Sequence, residues 1–172
     1  MDSGFLISTS RKPSVLTRRL VRWLVLLLGG LSVNRGKQNI SQLATNAKTK
    51  GFRYMIVVHE SHSNPSQLAF FDADLSLAVA NISVSNIPDV NSLSQRIPKN
   101  LNHILKSNGE MESHLLKMFE NVYDSANPSA KYDLSIIAEN KILSFEIEGK
   151  SIGPQIKLNS FVEFSMPEEV EQ

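Results

Sequence analysis

The chain has 172 residues, 41% of them apolar and 20% charged, and contains no cysteine. That composition suits one ordinary core, or two small subdomains sharing one, and argues against wholesale disorder; the missing cysteine excludes disulfides, thiolate chemistry and Cys-based zinc sites. The formal net charge of +1 hides an asymmetry, since ten of eighteen Lys/Arg residues lie in the first 53 positions against one acid, Asp2, a formal +9, while residues 54–172 carry −8, and such a basic block points to a polyanion partner.

In chain order, Phe5-Leu6-Ile7 running into Ser8, Thr9 and Ser10 reads as a short buried strand followed by a polar loop. Ser14, after Pro13, caps a helix in which Val15, Leu16, Leu20, Trp23, Leu24 and Leu27 recur at helical spacing as one apolar face. Arg18 and Arg22 lie four apart on another face with Arg19 alongside, and Gly29-Gly30 ends the helix. Trp23 to Leu28 follows three arginines as the apolar part of a secretion signal would. Its six residues fall far short of the roughly 20 that span a bilayer, and Gly29-Gly30-Leu31-Ser32 is a poor cleavage site; the segment reads as a buried helix end.

Leu31-Ser32-Val33 is a second short strand leading into Asn34-Arg35-Gly36-Lys37. Asn39 or Ser41 caps a helix from about Ser41 to Lys50, stopped by Gly51. Tyr54 to Val58 is a central strand, His59 to Ser66 a polar turn containing Asn64-Pro65, Gln67 to Asp72 the hairpin partner, and Leu75 to Val84 a further strand. The order strand-helix-strand-helix-strand-strand predicts an α/β layer with helices packed on a sheet. Beyond it, Pro88 and Pro98 bracket a broken helical region, and Glu110 to Tyr123 is a helix. Three strands follow, 132–138, 142–148 and 155–164, with Glu139-Asn140 a tight turn between the first two. The tail from Met166, with Glu168, Glu169 and Glu171, reads as solvated.

Two basic loops carry the chemistry, each after a short strand. One is Thr9-Ser10-Arg11-Lys12-Pro13-Ser14, continued by Thr17-Arg18-Arg19 and Arg22; the other is Asn34-Arg35-Gly36-Lys37. If the two strands are parallel neighbours, the loops emerge at one edge of the sheet, where such folds bind ligands. Arg forks and Lys point charges suit phosphate oxygens, hydroxyls and amides at a helix N-terminus add uncharged donors, and Gly36 would let the backbone approach a phosphate closely. The aromatic residues nearest this block, Phe52 and Tyr54, read as core, so binding would rest on backbone and shape, with marked salt sensitivity.

Ile7-Ser8-Thr9-Ser10-Arg11-Lys12-Pro13-Ser14, Thr17-Arg18 and Asn34-Arg35-Gly36-Lys37 resemble the opening signature of the Brix-domain proteins of ribosome biogenesis. Ile56-Val57-Val58, Asn64-Pro65 and Leu68 resemble the family's next strand and hairpin turn. The likeness is specific over residues 5–72 and general beyond, and the length resembles a short archaeal-type member. It implies a single Brix-like domain over 1–172 with a basic half, about 1–86, and an acidic half, about 87–172. Each half would be an α/β unit akin to the anticodon-binding domain of class II aminoacyl-tRNA synthetases. It further implies rRNA or pre-rRNA binding during ribosomal subunit assembly without catalysis or cofactor, with Arg11, Lys12, Arg18, Arg35 and Lys37 as RNA contacts. Cytoplasmic location would follow for an archaeal-type protein, nucleolar for a eukaryotic one, with ribosomal or assembly proteins as partners for the acidic half. Two departures are Arg19-Leu20-Val21-Arg22, in place of a phenylalanine-and-acid pattern, and Gln38-Asn39 after the lysine.

The readings that remain beside it are a tRNA- or general RNA-binding module, a protein-interaction scaffold and a metal-dependent nuclease. The last would use Asp72, Asp74 and histidines. In His59-Glu60-Ser61-His62 the histidines are three apart rather than the four of a zincin helix, and neither a phosphate loop nor a nucleophile elbow occurs. His103 and His114 fall on segments read as helical and as surface or boundary positions.

Overall fold

The computed structural model describes residues 4–72, 75–93, 96–120, 122–123 and 128–164. Strand β1 (Phe5–Thr9) leads into helix α1 (Val15–Leu28), which starts where Ser14 leaves the helical conformation and its hydroxyl accepts the Thr17 amide. Strand β2 (Gly30–Ser32) follows at once. Helix α2 (Ile40–Thr49) opens on a reciprocal capping box, Gln42 N–H to Asn39 Oδ1 and Asn39 N–H to Gln42 Oε1, both 2.9 Å. Such caps contribute about 1 kcal/mol. Strands β3 (Tyr54–Ser61), β4 (Asn64–Asp72) and β5 (Leu75–Ser83) form a meander, and a 3-10 turn covers Val90–Ser92. Then come β6 (Leu101–Ser107), α3 (Glu110–Glu120), β7 (Tyr132–Glu139), β8 (Ile142–Ile147), β9 (Lys150–Ser151) and β10 (Ile156–Glu163).

All the strands join one mixed sheet in the order β2-β1-β3-β4-β5-β10-β8-β7-β6, with β9 paired to β8. β1 is parallel to β2 and β3, and β6 to β7; the remaining pairs are antiparallel. This is a mixed α/β fold with three α-helices among the described residues. Alternation along the strands sorts side chains onto two faces. Phe5, Ile7, Tyr54, Ile56 and Val58 point into the larger core with Leu20, Trp23, Leu24 and Leu27 of α1, whereas Leu6, Met55 and Val57 meet Leu43 and Ala47 of α2 on the opposite face. Phe119 of α3 sets its ring edge-on against Phe5 and Phe70, centroids 5.7 Å away in both cases, so α3 packs on strands from the first half of the chain. Trp23 is fully buried and donates its indole N–H to the Pro88 carbonyl at 2.7 Å.

Several elements differ from the sequence expectation. Residues Leu101–Ser107 form a strand, so His103 lies in a strand rather than a helix; alternate residues Leu101 and Leu105 face the core, and His103 with them bonds the Leu27 carbonyl. Helix α3 ends at Glu120, short of Tyr123, and β9 adds a strand no pattern announced. The β3–β4 turn is only His62-Ser63, both at positive φ, and the β7–β8 turn is Asn140-Lys141, one residue later than read. Val15 is 64% exposed and leaves the apolar face of α1. Gly30 does not cap α1 but pairs with Phe5 so closely that a Cβ would lie 2.0 Å from the Phe5 carbonyl oxygen. Asp74 and the tail from Met166 lie outside the described residues.

Candidate nucleic-acid interface

Because β1 and β2 are parallel neighbours, the chain leaves both at the same sheet edge, and the two basic loops meet there. The junction is held by backbone and side-chain bonds. Val33 N–H donates to the Ile7 carbonyl at 3.0 Å, Ser8 Oγ to the Val33 carbonyl at 2.9 Å, and Ser10 N–H to the Val58 carbonyl at 2.9 Å. Arg35 spans the gap, with Nε on the Gln38 carbonyl (2.6 Å) and Nη1 on the Thr9 carbonyl (3.0 Å).

Between these loops and α1 lies an open cleft of ≈ 730 Å³, lined by Thr9, Lys12, Pro13, Arg18, Val21, Arg22, Ser32, Val33, Asn34, Arg35, Gly36 and Lys37. Seven of the sequence-derived candidates are therefore brought together: Thr9, Lys12, Arg18, Arg22, Asn34, Arg35 and Lys37. Ser10, Arg11, Ser14 and Arg19 are not among the lining residues. Arg18 and Arg22 reach the cleft from successive turns of α1, and Val21 between them supplies an apolar patch of wall. Among the described residues, none of the basic side chains at this edge forms an ion pair; Arg53 with Asp72 and His114 with Glu110 and Glu163 are the pairs seen, all away from the cleft.

Some polar groups are committed to the fold. The Thr9 hydroxyl donates to the Ser10 carbonyl at 2.8 Å, and Ser14 Oγ donates to the Ser63 carbonyl at 2.9 Å while capping α1. Glu60, from the end of β3, fills the N-terminus of α1, accepting the Ser14 amide at 3.0 Å and the Thr17 hydroxyl at 2.5 Å. Burial pushes the Glu60 carboxyl up, but these hydrogen bonds outweigh it and hold the group below its ordinary value. The α1 N-terminus is thus satisfied by a protein carboxylate, and the anion-binding capacity of the edge resides in side chains instead. Gly36 sits at φ +53, a conformation glycine adopts at little cost, with open space at the place a Cβ would take.

The electrostatics report crowding of like charge. Burial, and after it the charge of Arg11, lowers the Arg35 guanidinium from its ordinary value. Burial, then Arg35, does the same to the His59 imidazole, which is neutral at pH 7. His59 and Glu60 are the two residues here that composition and spacing do not place beside the basic loops; they arrive through the β1–β3 pairing. Phe52 and Tyr54 are 5% and 9% exposed, core residues that offer no stacking platform. Among the described residues no three His, Cys, Asp or Glu side chains gather as a metal site would require, and no helix is long and apolar enough to cross a membrane.

No family model matches the chain. Over 67 residues, 39% of this chain, it is 37% identical to a probable Brix domain-containing ribosomal biogenesis protein of Methanosarcina barkeri, a match that covers 41% of that protein. The chain thus spans about two fifths of the length of the first curated relatives it matches. Over 168 residues it is 29% identical to the protein of the same description from Methanococcus maripaludis, covering 90% of this chain and 95% of the relative. In three dimensions it superposes on the crystal structure of a probable ribosomal biogenesis protein from Aeropyrum pernix K1 with a TM-score of 0.70 over 90% of this chain and 94% of the other, at 19% identity, which shows a shared fold.

Proposed function

We propose that this chain, which is similar to archaeal Brix domain-containing ribosomal biogenesis proteins, is a non-catalytic assembly factor that binds ribosomal RNA, or its precursor, through the cleft at the β1–β2 edge. The observation that carries the reading is the convergence of Lys12, Arg18, Arg22, Arg35 and Lys37 around one cleft with no ion-pair partner among the described residues. Unpaired like charges held together cost stability unless a polyanion neutralises them, and a phosphodiester backbone is the polyanion that matches spaced Arg and Lys donors. With Phe52 and Tyr54 in the core, the contacts at the cleft fall on phosphate and sugar, so affinity is salt-sensitive and sequence preference modest.

The chain on this reading is one Brix-like domain of two related halves, about 1–86 and 87–172, each like a class II synthetase anticodon-binding domain. Its support is topological: β1, α1, β3, β4 and β5 correspond in order and direction to β6, α3, β7, β8 and β10, and the halves meet where β5 pairs antiparallel with β10. β2 and α2 are the extra pieces of the first half, and it is β2 that builds the cleft. Protein partners on the acidic half, and a cytoplasmic or nucleolar setting, complete the proposal.

Crosslinking the protein to RNA in its native host, with sequencing of what is bound, tests it. Reads concentrated on pre-ribosomal RNA are expected. Reads spread over transfer and messenger RNA would leave a generic basic surface and remove the assembly role.

A further inference from the structure

α1 and α3 both lie on the larger-core face of the sheet, and the cluster under α2 covers the β1–β3–β4 end of the opposite face and reaches Val79 of β5. The rest of that second face, across β5, β10, β8, β7 and β6, carries no helix among the described residues. At the end of β5 it is indented by a pocket of ≈ 360 Å³ whose lining includes Ser83, Asn140, Lys141, Gln155 and Lys157 and contains no acid. That is notable in a half of the chain whose formal charge is negative.

We infer that this pocket is a second phosphodiester site, which extends the RNA surface from the β1–β2 cleft across the uncovered sheet face; the inference rests on the RNA-binding function proposed above. Register builds the pocket. Lys157 stands directly opposite Ser83 on one side and Ile142 on the other, and all three line the pocket. Ser83 Oγ accepts the Asn159 amide at 2.8 Å, so its own proton is available to a ligand oxygen. Lys141 enters from the β7–β8 turn, where it and Asn140 hold φ of +61° and +52°. Glycine is the favoured second residue of such a turn, so a lysine there carries backbone strain. Lys12 in the first cleft shares that feature, at φ +53°. Neither Lys141 nor Lys157 forms an ion pair among the described residues.

A polar row on the same face joins the two sites. Arg35 acts on His59, His59 pairs with Gln67, Gln67 Nε2 donates to Asn81 Oδ1 at 2.9 Å, and Asn81 Nδ2 donates to Ser160 Oγ at 2.6 Å. From β3 to β10 this row crosses three inter-strand steps, about 14 Å at ordinary spacing. A flexible single strand leaving the cleft would follow hydrogen-bonding groups, not apolar ones, to reach Lys157.

The test compares full-length variants for binding of a fluorescent RNA hairpin with a single-stranded tail, across a range of salt. Lys141→Ala with Lys157→Ala is expected to weaken binding about tenfold near 0.1 M salt and to lower the log-log salt slope by about 1.4, two cations at about 0.7 each. Lys117→Ala with Lys131→Ala, an equal change of net charge elsewhere on the same half, is expected to bind as the wild type does. If the pocket variant binds normally while Arg18→Ala with Lys37→Ala loses affinity, the second site is overturned and the first stands. Equal losses in both lysine pairs would reduce the effect to long-range charge and overturn the pocket. A wild-type protein that binds no RNA at low salt would overturn the cleft and, with it, this extension.

Discussion

The Arg35 guanidinium donates through Nη1 to the Thr9 carbonyl at 3.0 Å, and with its Nε on Gln38 it ties two loops 26 residues apart into one unit. Its role is thus double: fork for the loops, charge for the cleft. Arg35→Ala leaves two carbonyls without their donor and is expected to destabilise the protein by about 1–3 kcal/mol. Arg35→Lys keeps the charge but not the fork, so thermal unfolding should shift down while the salt slope of RNA binding stays near that of the wild type. A lysine variant with unchanged unfolding would show that the tie is unimportant.

Arg18 and Lys37 are exposed, line the cleft from different elements, and form no ion pair among the described residues. Their joint replacement by alanine should therefore leave stability within about 0.5 kcal/mol while lowering the salt slope of RNA binding by about 1.4 to 1.8. Fluorescence titration at several salt concentrations, beside a melting curve, separates the two readouts.

The first half of the fold is legible because its signals are local. Ser14 before an apolar 3.6-residue period, the Asn39–Gln42 box and the alternation of Tyr54 to Val58 each specify an element without help from afar. The strand Leu101–Ser107 fails the same test. Leu101, Ile104 and Leu105 are spaced as on a helix, and the inward position between two leucines is taken by His103, whose partner is a carbonyl 76 residues away. For the cleft, the cations are visible in the chain because unpaired charge and turn residues are sequence properties. Glu60 is not, since its contact with Ser14 crosses 46 residues and depends on β1 pairing with β3.

Glu60 also makes a pH prediction. Its folded carboxyl lies below its ordinary 4.5, so the unfolded chain takes up the proton first on acidification. The stabilisation is complete above about 4.5 and is lost as the pH falls through the lower folded value. Glu60→Gln should melt below the wild type at neutral pH, and the two curves should approach each other as the pH falls below about 4.5, which circular dichroism at a series of pH values will show.

The imidazole of His103 stacks on Tyr123 with centroids 4.1 Å apart and planes 13° from parallel, and together they cap the C-terminus of α1. His103 Nε2 lies 2.8 Å from the Leu27 carbonyl, and the Tyr123 hydroxyl donates to the Leu28 carbonyl. These are carbonyls that the last turn of a helix leaves without intrahelical partners. Tyr123→Phe removes one donor and is expected to cost about 1–3 kcal/mol. Burial holds the His103 imidazole below its ordinary 6.5, although the Leu27 hydrogen bond pulls the other way, and His59 is lowered as well. For each, the unfolded state binds a proton that the folded state refuses, so stability is full above about 6.5 and declines as the pH falls below it toward the folded value. His103→Gln retains an N–H donor but does not titrate. Its melting temperature should fall less than that of the wild type between about pH 7.5 and pH 5.5, and an identical decline in the two proteins would assign the acid sensitivity to His59 instead.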